Sequence, residues 1–462
     1  MNAKLKLFEE SMTGKKVAVL GIGISNTPLI RYLVQLGAEV TAFDKKTADQ
    51  LGEIYEQLND LGIQFSLGEN YLNNIHHEIV FKTPGMRFDI PELLKAKEEG
   101  SIITSEMEIF FDLCPAQIIG VTGSDGKTTT TTLIYKMLVE EGYTCWLGGN
   151  IGKPLLSEIE KIQEDHKVVL ELSSFQLHTM NTSPDIAVIT NITPNHLDMH
   201  KSMEEYIEAK KNIFLNQSNI SKLVINYDND ITRSFEAEAK GNVTFFSMNS
   251  CVNGAFVKNN LIYVKNQGIT QSVLNINDII IPGMHNIENY MTAICAVWHM
   301  VSEDSIKKVA RTFTGVEHRI ELVREINGVK YYNSSIDSSP NRSIATLRTF
   351  NQKVILIAGG KDKNIPYDDL GKHLVDKVKC LILIGPTASK IEQSLKDEVV
   401  TSGMGSDIPV FHCTNYNEVV KTAHEQSKTG DIVVLSPAST SFDMFKNFEE
   451  RGNTFKDLVN AL

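Results

Sequence analysis

The chain has 462 residues, enough for roughly two to four domains, and its 42% hydrophobic and 22% charged residues are ordinary for a globular protein. Its net charge is −12 and its basic residues form no long run, so no nucleic-acid partner is expected. No apolar run approaches the ~20 residues that span a bilayer, and Glu9 and Glu10 precede any long apolar stretch, which argues against a signal peptide. A cytoplasmic protein without membrane insertion is the expectation.

Short apolar runs followed by helical patterns organise the chain. The first, 17–20, leads into Gly21-Ile-Gly-Ile-Ser-Asn26, a dinucleotide fingerprint with Asn26 in place of the third glycine. The second, 40–43, ends at Asp44, where a nucleoside contact belongs in a doubly wound sheet. A third, 79–82, is followed by Thr83-Pro-Gly85. Taken alone, the fingerprint suggests an NAD domain.

The run 118–121 opens the segment Ile118-Ile-Gly-Val-Thr-Gly-Ser-Asp-Gly-Lys-Thr-Thr129. Strand, glycine-rich turn and helix start follow one another, as in a phosphate-binding loop. Gly123 and Gly126 allow a tight turn that aims N–H groups inward. Ser124, Asp125 and Thr129 complete the loop, Lys127 can reach the β and γ phosphates, and Thr128 can place a hydroxyl on Mg²⁺. The helix expected over 129–141 adds its positive end. Val121 stands where the strict pattern has glycine, so the loop reads GxxGxxGKT from Gly120.

Acidic and metal-holding groups are expected at the ends of neighbouring strands. The run 168–172 supplies Glu171 and then Ser173, and the run 186–189 leads to Asn191, His196 and Asp198. A buried carboxylate is costly unless a cation meets it. The helix expected over 202–215 carries Lys210 and Lys211, and Lys211 reads as a solvated lysine. Residues 237–281 are polar and asparagine-rich, and read as an antiparallel insert or a sheet extension. Further runs at 223–226, 354–358, 380–384 and 432–435 fit buried parallel strands. The six scattered cysteines form no metal-binding spacing and read as reduced thiols.

These segments predict an α/β protein of three domains: a Rossmann-like domain over 1–108, a central P-loop ATPase-like domain over 109–314 and a Rossmann-like domain over 315–462.

The sequence resembles the Mur ligase family, and within it the group that adds D-glutamate to UDP-N-acetylmuramoyl-L-alanine. The signal is Glu171-Leu-Ser-Ser-Phe-Gln-Leu177, with Gly148-Gly-Asn-Ile-Gly152, Asn195-His-Leu-Asp198, His285-Asn286, His318-Arg319, Ser436-Pro-Ala-Ser-Thr-Ser-Phe442 and Phe445-Lys-Asn-Phe-Glu-Glu-Arg-Gly452. The resemblance runs from about residue 15 to the C-terminus. It implies an ATP-dependent ligase that works through an acyl phosphate. It implies Lys127, Glu171, His196 and Lys210 as catalytic residues, with Asn286 and Arg319 on the ATP side. Thr128, Glu171, His196 and a carbamylated Lys210 would hold two Mg²⁺ ions. Gly23, Ile24, Ser25, Asp44, Thr83, Pro84 and Gly85 would meet the UDP part of the substrate, and Asn150 and Ser173 the muramoyl part. Lys363, Ser441 and Phe448 would meet D-glutamate. A monomer is expected. Where the family reads Asn-Asp-Ser-Lys-Ala-Thr, this chain has Asn333-Ser-Ser-Ile-Asp-Ser338, which leaves Asp337 and Arg342 as the nearby charged groups.

Overall fold

The structure, a computed structural model, describes residues 3–194 and 200–462. The chain forms two compact units, one of Met1–Ile276 and Glu288–Val309, the other of Asn277–Ile287 and Ala310–Leu462. The chain crosses between units three times, in the short 3-10 helix Ile276–Asp278 and in the helices Met284–Val297 and Glu303–Thr312.

The first unit holds two sheets. One contains β1 (Lys16–Leu20), β2 (Glu39–Asp44), β3 (Gln64–Leu67), β4 (Ile79–Lys82) and β5 (Ile102–Thr104), in the order β3-β2-β1-β4-β5. All four of its pairings are parallel. Strand order reverses beside β1, so the turns after β1, β2 and β4 gather at one carboxyl edge, where ligands bind in such sheets.

The second sheet contains β6 (Gln117–Thr122), β7 (Cys145–Gly149), β8 (Lys167–Glu171), β9 (Ile186–Ile189), β10 (Lys222–Asn226), β11 (Asn242–Ser247), β12 (Gly254–Lys258), β13 (Leu261–Asn266) and β14 (Ile269–Asn275). Its order is β14-β13-β12-β11-β10-β9-β6-β8-β7. β6 lies between β8 and β9, in a register that sets Val121 beside Glu171 and Thr122 beside Ile189. The polar segment 237–281 extends this sheet. β11 and β12 join it in parallel, and β13 pairs antiparallel with both β12 and β14. One apolar core runs through both sheets, from Val17 and Phe81 through Phe110 to Val168 and Phe214.

The second unit holds β15 (Glu321–Ile326), β16 (Val329–Asn333), β17 (Val354–Ala358), β18 (Val378–Ile384), β19 (Val410–Cys413) and β20 (Ile432–Leu435), in the order β15-β16-β20-β17-β18-β19. β15 and β16 form an antiparallel hairpin, and the other pairings are parallel. Apolar side chains cover both faces of this sheet. No helix among the described residues is long and apolar enough to cross a membrane.

Candidate functional site

The phosphate loop leaves β6 and enters the helix Lys127–Glu141, which begins two residues earlier than the sequence pattern suggests. Gly126 is left-handed at φ 76°, and a Cβ there would lie 2.4 Å from Asn289 Oδ1. At Gly123 a Cβ would lie 1.9 Å from Thr190 Oγ1. Both glycines are therefore required by packing as well as by the turn. Asn191 closes the loop: its carbonyl accepts from Ser124 N at 2.9 Å and its Oδ1 from Asp125 N at 3.0 Å. Thr190 Oγ1 donates to Asp125 O at 2.6 Å. Lys127 Nζ lies over the turn, donating to the Gly123 and Ser124 carbonyls at 3.0 Å each. Thr128 and Thr129 are partly buried on the first helical turn.

Glu171, the last residue of β8, is 2% exposed. Its Oε1 accepts from Asn150 Nδ2 at 2.9 Å, whereas Oε2 is buried without a hydrogen-bond partner. Such an orphaned oxygen costs about 1–3 kcal/mol, more when charged, and a divalent cation is the partner that suits it. Ser173 caps the short helix Ser174–Leu177 through a reciprocal bond with Gln176.

Lys210 is 1% exposed on the helix Met203–Leu215. Its Nζ donates to Thr122 Oγ1 at 3.1 Å and Gly123 O at 3.0 Å, and lies 4.8 Å from the Tyr206 ring centroid. Burial pushes its pKa well below the ordinary lysine range; the Lys127 charge adds to this and Glu171 opposes it. The sequence thus places Lys127, Glu171 and Lys210 on three elements, and the sheet register gathers them around one turn. Lys211 is a correction: instead of facing solvent it is buried, paired with Glu238 at 2.5 Å and Glu208 at 3.0 Å. A helical lysine reads as solvated until the segment packing on it is known. His196 lies outside the described residues. Among the described residues no cluster of three or more His, Cys, Asp or Glu side chains forms a ready metal cage. The oxygen donors available are Thr128 and Glu171, with Lys210 able to join them only after modification.

Two residues at this loop, Asn289 and Tyr206, escape the sequence patterns. Asn289 Oδ1 accepts from Thr130 Oγ1 at 3.2 Å. Tyr206 Oη lies 3.0 Å from Ser124 Oγ, and Asn191 ties the turn. Tyr206 carried a signal, since it lies one helical turn before Lys210; Asn289 has none without the fold, and Asn191 lies at the strand end where the sequence pattern puts it.

At the first sheet, Asp44 is buried, with Oδ2 accepting from Ile22 N at 2.7 Å and Oδ1 from Lys46 N at 2.9 Å. Asn26 Nδ2 donates to Leu20 O and Gly21 O, both at 3.0 Å. Gly23 is exposed, Ile24 is 87% exposed and Ser25 opens the helix Asn26–Gln35. Thr83 N donates to Leu20 O, which places residues 83–85 beside this turn.

In the second unit, Phe448 begins the helix Phe448–Asn460, and its ring meets His318 edge-on at 5.9 Å. Ser441 is buried, and Lys363 Nζ lies 3.5 Å from Ser338 Oγ. Arg451, absent from the sequence-based set, is buried and binds Ser335 Oγ at 2.9 Å, Ser335 O at 2.8 Å and Ser439 O at 3.1 Å. It fastens the segment after β16 to the segment after β20. Asp337 points inward, where Oδ2 accepts from Thr346 Oγ1 and Ser436 Oγ at 2.7 Å each. Arg342 Nη1 donates to Ile336 O at 3.1 Å. Asn286, whose Nδ2 donates to Pro282 O at 2.6 Å, and Arg319 also belong to this unit.

The fold and loop define a nucleotide-binding α/β enzyme whose phosphate turn is overlaid by two lysines and a buried carboxylate. A model of the Mur ligase middle domain matches residues 121–297, and one of the Mur ligase glutamate ligase domain matches 318–439. The chain belongs to the Mur ligase family. It is 61% identical to the UDP-N-acetylmuramoylalanine–D-glutamate ligase of Acetivibrio thermocellus and 57% identical to that of Ruminiclostridium cellulolyticum, in both cases over 100% of each chain. The solved structure of the UDP-N-acetylmuramate-alanine ligase MurC from Thermotoga maritima shares the fold, with a TM-score of 0.58 over 97% of this chain and 99% of that one at 17% identity.

Proposed function

We propose that the chain is an ATP-dependent amide-forming ligase that joins D-glutamate to UDP-N-acetylmuramoyl-L-alanine in peptidoglycan precursor synthesis. The observation that carries this reading is end-to-end identity of 61% with a ligase of that name. Residues 1–108 receive the UDP part at the Gly23–Ser25, Asp44 and Thr83–Gly85 edge, 109–314 bind ATP, and 315–462 receive D-glutamate through Lys363, Ser441 and Phe448. The enzyme acts as a cytoplasmic monomer.

The substrate carboxylate attacks the γ phosphoryl group, giving an acyl phosphate and ADP. The amine of D-glutamate then adds to the acyl carbon, and phosphate leaves as the amide forms. Such chemistry needs positioning and charge neutralisation more than covalent help. The loop N–H groups at 123–129 and the Lys127 ammonium hold the phosphates, with Asn286 and Arg319 on the nucleotide. Asn150 and Ser173 orient the muramoyl group. Thr128, Glu171, His196 and Lys210 would hold Mg²⁺, and the orphaned Glu171 oxygen fits that role. When bound, Mg²⁺ supplies charge neutralisation along the phosphates. A neutral, buried Lys210 amine is the form that condenses with CO₂, and the resulting carbamate presents oxygen in place of a cation.

Purified protein with ATP, Mg²⁺ and both substrates is expected to release one phosphate per amide formed. Phosphate release independent of the UDP-sugar, or equal release with L-amino acids, overturns the proposal.

A further inference from the structure

Residues 83–89 leave β4, and their first three residues belong to the edge that receives the UDP part of the substrate. The same segment is bound to the helix that carries Lys210. Arg87 Nη2 donates to Glu205 Oε1 at 2.8 Å and Nη1 to Glu205 Oε2 at 3.3 Å. The guanidinium also grips Asp89, Nε to Oδ1 at 2.7 Å and Nη2 to Oδ2 at 2.9 Å. Lys201 closes the ring, with Nζ on Asp89 Oδ2 at 2.7 Å and its backbone N on Glu205 Oε2 at 2.5 Å.

Glu205 lies in the first turn of the helix Met203–Leu215, five residues and ~7.5 Å of rise before Lys210. His178 Nε2 is 3.7 Å from Glu205 Oε1, and the Phe88 ring meets His178 edge-on at 4.9 Å. Ion pairing with Arg87 holds the Glu205 carboxyl down at about 2. Arg87 and Glu205 side chains are 25% and 19% exposed, so the pair is only partly screened by solvent. A two-pronged guanidinium–carboxylate contact fixes direction as well as distance.

We infer that Arg87 and Glu205 are positioning residues that couple the Thr83–Gly85 edge to the Lys210 helix, so that seating the UDP-sugar also sets Lys210 and Tyr206 against the phosphate loop. Neither residue touches the reacting atoms. The inference rests on the functional reading above, in which residues 83–85 meet the substrate. Tyr206 lies next to Glu205 and contacts Ser124 Oγ at 3.0 Å, so a shift of the helix start is transmitted to the loop that holds ATP.

The test is a double-mutant cycle of Arg87→Met and Glu205→Gln, reading kcat, the KM for the UDP-sugar and thermal stability separately. Each single variant is expected to lower kcat roughly tenfold and raise that KM severalfold, with the double variant no worse than the poorer single one. Arg87→Lys, which keeps the charge and stem but loses the fork, is expected to lie in between and covers the case in which Arg87→Met fails to fold. Kinetics within twofold of the parent in either single variant, a fall in melting temperature alone, or losses that multiply in the double variant overturn the coupling. The parent enzyme separates the two claims. If it ligates D-glutamate while the variants behave normally, only the coupling fails; if it does not, the functional reading fails.

Discussion

The side-chain amide of Asn150 donates to one oxygen of Glu171 and leaves the other, Oε2, buried without a partner. One neutral donor thus orients a carboxylate and leaves its second oxygen open to the Mg²⁺ proposed above. Glu171→Gln keeps the bond to Asn150 through the retained carbonyl but removes the charge. Turnover is expected to fall by about 10²-fold or more, and the Mg²⁺ concentration for half-maximal rate to rise, with little change in melting temperature. A variant with parental kcat and parental Mg²⁺ dependence would remove Glu171 from the metal site.

Lys210 costs the fold stability. Burial holds its folded pKa well below the unfolded value of about 10.4, so folding disfavours the protonated amine. The penalty is largest below the depressed folded value and shrinks as pH rises toward 10. Lys210→Met is therefore expected to raise unfolding free energy by roughly 1–2 kcal/mol at pH 7 while abolishing turnover. The stabilisation should fade by pH 10 in denaturant titrations. Lys210→Ala should regain part of its activity with an added short carboxylic acid, and complete insensitivity counts against the carbamate.

Lys127→Ala is expected to lose at least 10³-fold in kcat, because its ammonium neutralises phosphate and does not pack in the core. Circular dichroism and melting temperature should match the parent. Near-parental turnover would contradict the role of the loop.

Gly126→Ala combines a left-handed backbone with a Cβ 2.4 Å from Asn289 Oδ1. A loss of about 1–3 kcal/mol is expected. Adding Asn289→Ala should recover the steric part only, leaving the backbone strain; full recovery would show the strain to be negligible.

Glu106 opens the helix Glu106–Leu113 and accepts from Leu156 N at 2.9 Å. Burial raises its pKa to about 7, against opposing backbone hydrogen bonds. The folded value lies above the unfolded one of about 4.3, so its contribution is full below pH 4 and is lost as pH rises through 7, about 4 kcal/mol in all. Glu106→Gln keeps the acceptor and is expected to flatten the stability profile between pH 4.5 and 7.5. An unchanged slope would place the titration elsewhere.

The legible part of the fold is its interior. All ten apolar runs read from the sequence are strands, because a parallel strand covered on both faces must be apolar throughout. Of the strands outside those runs, β3, β5, β7 and β19 each form a sheet edge, and their partly exposed residues relax that requirement; β16 lies inside its sheet and escapes the pattern because the exposed Lys330 interrupts it. The site divides in the same way. Gly123, Gly126, Lys127, Glu171 and Asn191 follow a local pattern, whereas Asn289 acts across the chain and carries no local mark, and the part Arg451 plays in joining two segments is not visible in its motif. Ser334 shows the limit of motif reading. The acid missing there is followed by Asp337, but that carboxylate is spent on Thr346 and Ser436 and turns away from the surface.

Asn26, the residue that breaks the dinucleotide fingerprint, has a consequence for inhibitor design. Its amide occupies the carbonyls of Leu20 and Gly21, and Gly23 O already accepts from Thr27 N. A compound aimed at this edge gains little from hydrogen-bond donors, which find acceptors already in use. Compounds rich in acceptor oxygens, with an apolar face to cover the exposed Ile24, suit it better. Nicotinamide-cofactor mimics, chosen because the glycines look familiar, would be a poor place to begin.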